Sequence, residues 1–180
     1  MANFDSAIAL ILKNEGGYQA HPNDKGNYNS RKQLVGTKFG ISAPVLEKWA
    51  GFPVLEIDMR NLTKIEAKEI YRKNYWYGIK GNEIQDQDNA EIIFDHAVNA
   101  GVGGAGKLVQ STLNTLGKNL AVDGAIGANT LHALNTVDPN RFFEKFKQSR
   151  INYYSSISGG SNSVFAKGWI KRVLEFEKKK

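Results

Sequence analysis

Glu15 stands at the end of the first periodic segment of the chain, in the run Asn14-Glu15-Gly16-Gly17-Tyr18. Upstream, Phe4, Ala7, Ile8, Ile11 and Leu12 recur at three- and four-residue spacing, which predicts a helix with one apolar face. Gly16 and Gly17 predict its stop, because glycine readily takes the left-handed conformation of a helix C-cap. A carboxylate there meets the negative pole of the helix dipole, which favours the protonated acid. A protonated carboxylic acid beside a loop is what a general acid requires. On position alone, a solvated Glu at a helix end is the competing reading. A second carboxylate, Asp24, follows in Pro22-Asn23-Asp24-Lys25-Gly26, a stretch that is also ordinary turn chemistry.

The elements that must position these groups are helical almost throughout. Ser42-Ala43-Pro44 predicts a helix start, with Pro in the first turn, running to Gly51 and burying Val45 and Trp49. Leu62-Thr63-Lys64-Ile65-Glu66 has the spacing of a capping box, opening a helix that ends near Tyr77. Ala90, Ile93, Phe94, Ala97 and Val98 give an almost wholly apolar helix, expected in the core. Gly101, Gly103, Gly104 and Gly106 are expected to break it in a tight helix–helix turn. Leu108, Val109, Thr112, Leu113 and Leu116 make the next amphipathic face. Asp138-Pro139 caps a long helix aligning Phe142, Phe146, Ser149, Tyr153 and Ile157. A loop is expected at Gly159–Ser163, and Trp169, Val173 and Phe176 mark a last helix. Only residues 17–41 lack a helical period, and a short β-hairpin fits there.

Composition narrows the function classes. A chain of 180 residues, 41% hydrophobic and 23% charged, is long enough to build its own core. With no cysteine, disulfides and thiolate metal sites are excluded, and His21, His96 and His132 have no ligand-type spacing, so no metal or cofactor is expected. The net charge of +6 implies attraction to polyanions, but no nucleic-acid motif accompanies it. Lys178-Lys179-Lys180 reads as a solvated tail. The glycine-rich run 101–106 has no preceding strand and no Gly-Lys-Ser/Thr ending, which excludes a phosphate loop. No segment approaches the ~20 apolar residues of a membrane span, so stable membrane insertion is not expected. Ala7–Leu12 lacks the basic leader and cleavage site of a secretory signal.

Glu15-Gly16-Gly17-Tyr18, His21-Pro22-Asn23-Asp24-Lys25-Gly26 and Thr37-Lys38-Phe39-Gly40-Ile41-Ser42, in that order, resemble the start of glycoside hydrolase family 108, the N-acetylmuramidases related to phage endolysins. Further on, Ile70–Trp76 resembles the family's Tyr-Trp helix and Phe94–Gly101 its buried central helix. Val122-Asp123-Gly124-Ala125-Ile126-Gly127-Ala128-Asn129-Thr130-Leu131 resembles the signature of its accompanying predicted peptidoglycan-binding region. Two departures stand out: Lys38 occupies a position where the family usually has Asn, and Asn27–Gly36 reads as an insertion.

The resemblance implies a mainly α, lysozyme-like domain with a short irregular or β-hairpin segment after the first helix. It is expected as one domain over 1–180, with the catalytic motifs in 1–94 and an integral helical portion in 95–180. It implies cleavage of the β-1,4 bond between N-acetylmuramic acid and N-acetylglucosamine, with Glu15 as acid. Asp24 is the candidate second carboxylate, since most glycosidases use two, and Thr37 a candidate for holding water. Tyr18, Tyr75, Trp76 and Asn99 are the candidate sugar contacts, against core packing for the aromatics and a structural hydrogen bond for Asn99. His96 reads as a core histidine. A lytic transglycosylase and a non-catalytic wall-binding or secretion-assisting protein are the alternatives. The partner is peptidoglycan glycan strands, not nucleic acid. The chain is expected as a monomer that reaches the wall through a holin or another exporter. Because exposed charges are screened over about 8–10 Å at physiological salt, pelleting of the protein with purified sacculi is expected to weaken as salt rises; salt-independent pelleting would assign the affinity to a sugar-specific cleft.

Overall fold

The computed structural model describes residues 1–14, 16–158 and 163–179; Glu15, four residues of the expected 159–163 loop, and Lys180 lie outside the described residues. The fold is mainly α-helical and lysozyme-like. Among the described residues the helices are α1 (Phe4–Asn14), α2 (Ala43–Ala50), α3 (Glu56–Asn61), α4 (Lys64–Tyr71), α5 (Gln87–Thr115), α6 (Ala128–Thr136), α7 (Pro139–Ser156) and α8 (Ser163–Leu174). Two short strands, β1 (Thr37–Lys38) and β2 (Ile41–Ser42), pair antiparallel, with Thr37 opposite Ser42. The chain divides into two compact units, residues 8–73 and residues 1–7 with 74–180.

In the 8–73 unit, Ile8 and Ile11 of α1 are buried at the predicted spacing, as are Val35, Ile41, Ala43, Leu46, Val54, Met59 and Ile70. The capping box opens α4 as its sequence predicts: Glu66 N–H donates to Thr63 Oγ1 (3.2 Å) and the Glu66 carboxylate accepts from Thr63 N–H (2.8 Å). Helix α2 starts and stops where expected, Gly51 taking φ +79° beyond its end. Its buried face differs, however. Ala43 and Leu46 turn inward, Val45 is half-buried, and Trp49 is 36% exposed with the Lys73 ammonium over its ring. Helix α3 gave no period because it has six residues and buries one of them, Met59.

The other unit is built on α5. Its residues 88–97 are all buried, and Phe94 meets Phe4 and Trp76 edge-on at 6.0 and 5.4 Å. The glycine run interrupts this helix, as expected, but at one residue: two helical segments meet at a kink. Gly101 alone leaves helical geometry (φ 78°, ψ 159°), and the helix resumes through Gly103 and Gly106. Gly106 is needed where it lies, because a Cβ there would stand 2.0 Å from the Gly124 carbonyl oxygen.

Helix α7 inserts Phe142, Phe143 and Phe146, and it also brings Arg150, fully buried, onto Asp95 (2.5 Å). Arg172 of α8 reaches the other oxygen of the same carboxylate at 2.6 Å. Lys178 and Lys179 are not a free tail. Lys178 pairs with Asp86, and Lys179 with Glu91 (2.9 Å) and Asp88 (3.6 Å) at the start of α5. The carboxylates there are partly desolvated, so they favour an ammonium partner, and Lys178 and Lys179 dock on them.

His96 is a core histidine, its Nδ1 3.3 Å from the Tyr154 hydroxyl and its ring edge-on to Phe146 and Tyr153. Burial, aided by the Arg150 charge, pushes its pKa down to about 3. The unfolded chain therefore binds a proton near pH 6.5 that the native state refuses, and stability is lost as pH falls from there toward 3. Urea unfolding between pH 6 and 4 is expected to show wild type losing up to ~1.4 kcal/mol per pH unit more than His96→Gln; parallel pH slopes for the two proteins would reject a neutral buried imidazole.

Candidate active site

The loop from Gly16 to Ser42 is organised by side-chain amides. Asp24 accepts the Gly26 amide on Oδ1 (2.9 Å) and so caps the short turn Lys25–Asn27. That turn drives the Asn27 side chain inward, where it is fully buried. Asn27 Nδ2 donates to the His21 carbonyl (2.9 Å) and to Gln19 Oε1 (3.0 Å), while Gln19 Nε2 donates back to Asn27 Oδ1 (3.1 Å). Thr37 Oγ1 donates to the same Oδ1 at 2.7 Å. The Asn27 carbonyl meanwhile accepts from the Val35 and Gly36 amides (2.8 and 2.9 Å). Gln19 and Thr37 also exchange both backbone hydrogen bonds, at 2.9 and 2.8 Å, which lays the segment after the first helix alongside β1.

The stretch 27–36 is therefore not a loose insertion. Asn29 is buried as well, donating to Val54 O (2.9 Å) and Gln33 Oε1 (2.8 Å), and Ser30 binds Glu47 of α2 through N–H and hydroxyl. A polar segment with no apolar period folds here because its buried amides find all their partners.

Tyr18 lies half-buried on this framework, its hydroxyl donating to the Val35 carbonyl at 3.1 Å. The Arg60 guanidinium stacks 3.9 Å over the Tyr18 ring and pairs with Glu56 at 2.7 Å. Desolvation raises the Tyr18 phenol above its ordinary range, and the neighbouring Glu56 carboxylate adds to the shift. Lys38 donates its ammonium to the Arg60 carbonyl, so the residue that departs from the family pattern ties β1 to the end of α3.

The remaining candidates belong to the other unit. Trp76 is fully buried, edge-on to Phe4 at 5.7 Å, with its indole N–H on Asn82 Oδ1 (2.7 Å). It packs the core and presents no face to a sugar, which corrects the expectation for this residue. Tyr75 is half-buried, its phenol raised by desolvation, whereas Tyr77 is 52% exposed. Asn99 is exposed and donates back to the Asp95 carbonyl (2.7 Å), one turn earlier in α5. Tyr18, Asp24 and Thr37 thus share one loop framework, and Tyr75, Trp76 and Asn99 do not join it within the 8–73 unit. Gln19, Asn27, Glu56 and Arg60 were missed in the sequence. The turn Asp24-Lys25-Gly26 ahead of Asn27 is the one signal that a buried amide follows.

The model of the Glycosyl hydrolase 108 family matches residues 8–101, more than half of the chain. The chain belongs to that family. It is a glycoside hydrolase of the peptidoglycan-hydrolase type. A second model, the Predicted Peptidoglycan domain, matches residues 104–174, which supports peptidoglycan as the ligand. The structure of Brucella abortus SagA is similar to this chain over 98% of its length and 96% of the SagA chain, with 27% identity and a TM-score of 0.74. No curated protein matches. The family match begins within α1 and takes in the whole amide-clamped loop.

Gly36 sits where that loop is tightest, at φ +93° with room for no Cβ: one would stand 2.6 Å from the Gln19 carbonyl and 2.7 Å from the Tyr18 ring. Gly51 also has a left-handed φ but open space around it. Gly36→Ala is expected to cost about 1–3 kcal/mol more in denaturant unfolding than Gly51→Ala, the range for overpacking; equal costs would mean that backbone conformation alone, and not the close approach, sets the requirement.

Proposed function

We propose that this hydrolase cuts the β-1,4 bond between N-acetylmuramic acid and N-acetylglucosamine, with Glu15 as the general acid. The observation that carries the reading is the order of parts: a helix ending at Asn14, immediately ahead of Glu15 in sequence, then a loop that exposes Asp24 and holds the Thr37 hydroxyl in place. Glu15 gives its proton to the departing glycosidic oxygen. Asp24 supplies the negative charge that an oxocarbenium-like transition state needs, the usual division between two carboxyl groups. Thr37 holds the water, which in net supplies the new hydroxyl at the anomeric carbon and the proton that Glu15 gave up. Tyr18 and Tyr75 are the aromatic candidates for sugar contact, and Asn99, exposed on α5, the polar one. The enzyme acts as a monomer on glycan strands of the wall, reached through a holin or another exporter, and needs no cofactor.

Glu15→Gln keeps the shape and removes the proton. General-acid help contributes roughly 10²–10⁴-fold, so the variant is expected to clear a peptidoglycan suspension at least about a hundredfold more slowly while still pelleting with sacculi. Wild-type clearance no faster than that of the Gln variant would reject Glu15 as the acid. Mass spectrometry of the released muropeptides decides the reaction: hydrated reducing ends support the hydrolase, and anhydro products, one water lighter, would replace it with a lytic transglycosylase.

A further inference from the structure

The proton positions in the Gln19–Asn27–Thr37 cluster follow from the backbone alone. A peptide N–H only donates and a peptide C=O only accepts. His21 N–H donates to Gln19 Oε1 at 2.9 Å, which fixes the Gln19 amide with its NH₂ group toward Asn27. The His21 carbonyl accepts from Asn27 Nδ2 at 2.9 Å, which fixes the Asn27 amide with its oxygen toward Thr37. One peptide residue thus orients both side-chain amides, and the two then bond reciprocally at 3.0 and 3.1 Å. Since Asn27 Oδ1 has no proton, the 2.7 Å contact from Thr37 Oγ1 takes the Thr37 hydroxyl hydrogen.

The hydroxyl then has lone pairs left and no proton to give. A water beside it must donate to Thr37, which turns that water's own lone pair away from the threonine and leaves it free to attack. A freely rotating hydroxyl would hold the water in either sense, as donor or as acceptor.

We propose that Asn27, set by the His21 peptide and braced by Gln19, is a positioning residue that makes the Thr37 hydroxyl a one-way acceptor for the attacking water. This rests on the reading of Thr37 as the water-holding group. Burial supports it: Asn27 is fully enclosed and every polar position of its side chain is used, so neither bulk water nor rotation competes with the arrangement.

The test is a double-mutant cycle read as kcat and KM on soluble glycan fragments, with thermal unfolding recorded for each protein. Thr37→Val is expected to lower kcat by at least about tenfold, as a misplaced reactant does, with KM nearly unchanged. Asn27→Ala should lose kcat to a similar extent, and the double variant should lose no more than either alone. Asn27→Asp keeps the acceptor oxygen and sheds the two N–H donors, so it should melt earlier yet hold kcat within about threefold of wild type. It serves also if Asn27→Ala does not fold. Additive losses in the double variant, or an Asn27→Asp protein as impaired in kcat as Asn27→Ala, would overturn the proposal and leave Asn27 a structural residue. A silent Thr37→Val would remove the water-holding role of Thr37, and the Glu15→Gln result would stand or fall separately.

Discussion

The loop that carries the candidate chemistry depends on one buried amide. Asn27 has no apolar reason to be inside; it stays there because six hydrogen bonds to its side chain and carbonyl meet in one place. Enclosing a primary amide without partners would cost several kcal/mol, so the geometry holds only while every partner is present. That requirement fixes where His21, Gln19, Thr37, Val35 and Gly36 lie relative to one another. Strands of two residues are too short to do this by pairing alone. The amide cluster does for this segment what a longer hairpin does elsewhere.

The helical unit uses a different device. Asp95, Arg150 and Arg172 place charge inside a core otherwise made of Phe94, Phe142, Phe143 and Phe146. A buried pair of this kind is weak evidence for stability, since desolvation opposes attraction, but removal of one partner leaves an uncompensated charge. It ties α5 to α7 and α8 through a single carboxylate, and the terminal lysines tie the chain end to the start of α5 in the same manner. His96 beside this group stays neutral for the same reason that the ions must pair: there is no water to stabilise a lone charge.

Much of this was legible in the sequence because it rests on local rules. The three- and four-residue spacing from Phe4 to Ile11 gave α1, the Thr63/Glu66 box gave the start of α4, and Asp138-Pro139 gave that of α7. The motif order around Glu15 pointed to the glycosyl hydrolase 108 family, whose model spans residues 8–101. Where the reading failed, a distant partner had overridden a local preference. The break is confined to Gly101, while Gly103 and Gly106 lie within the helical segment that follows, Gly106 too close to Gly124 for a Cβ, and Lys178 and Lys179 dock because Asp86, Asp88 and Glu91 await them.

By itself, then, the sequence determined most of the helices, several of their starts, the family and the residue types available for acid chemistry, because periodicity, capping and motif order act between neighbours in the chain. Only tertiary structure decided that Trp76 is core and Trp49 is not, that Arg150 is buried, and that Asn27–Gly36 is an ordered part of the site framework. Each of those outcomes turns on desolvation. Whether an indole, a guanidinium or an amide leaves water depends on partners supplied by residues far along the chain, and no local pattern encodes whether they will arrive.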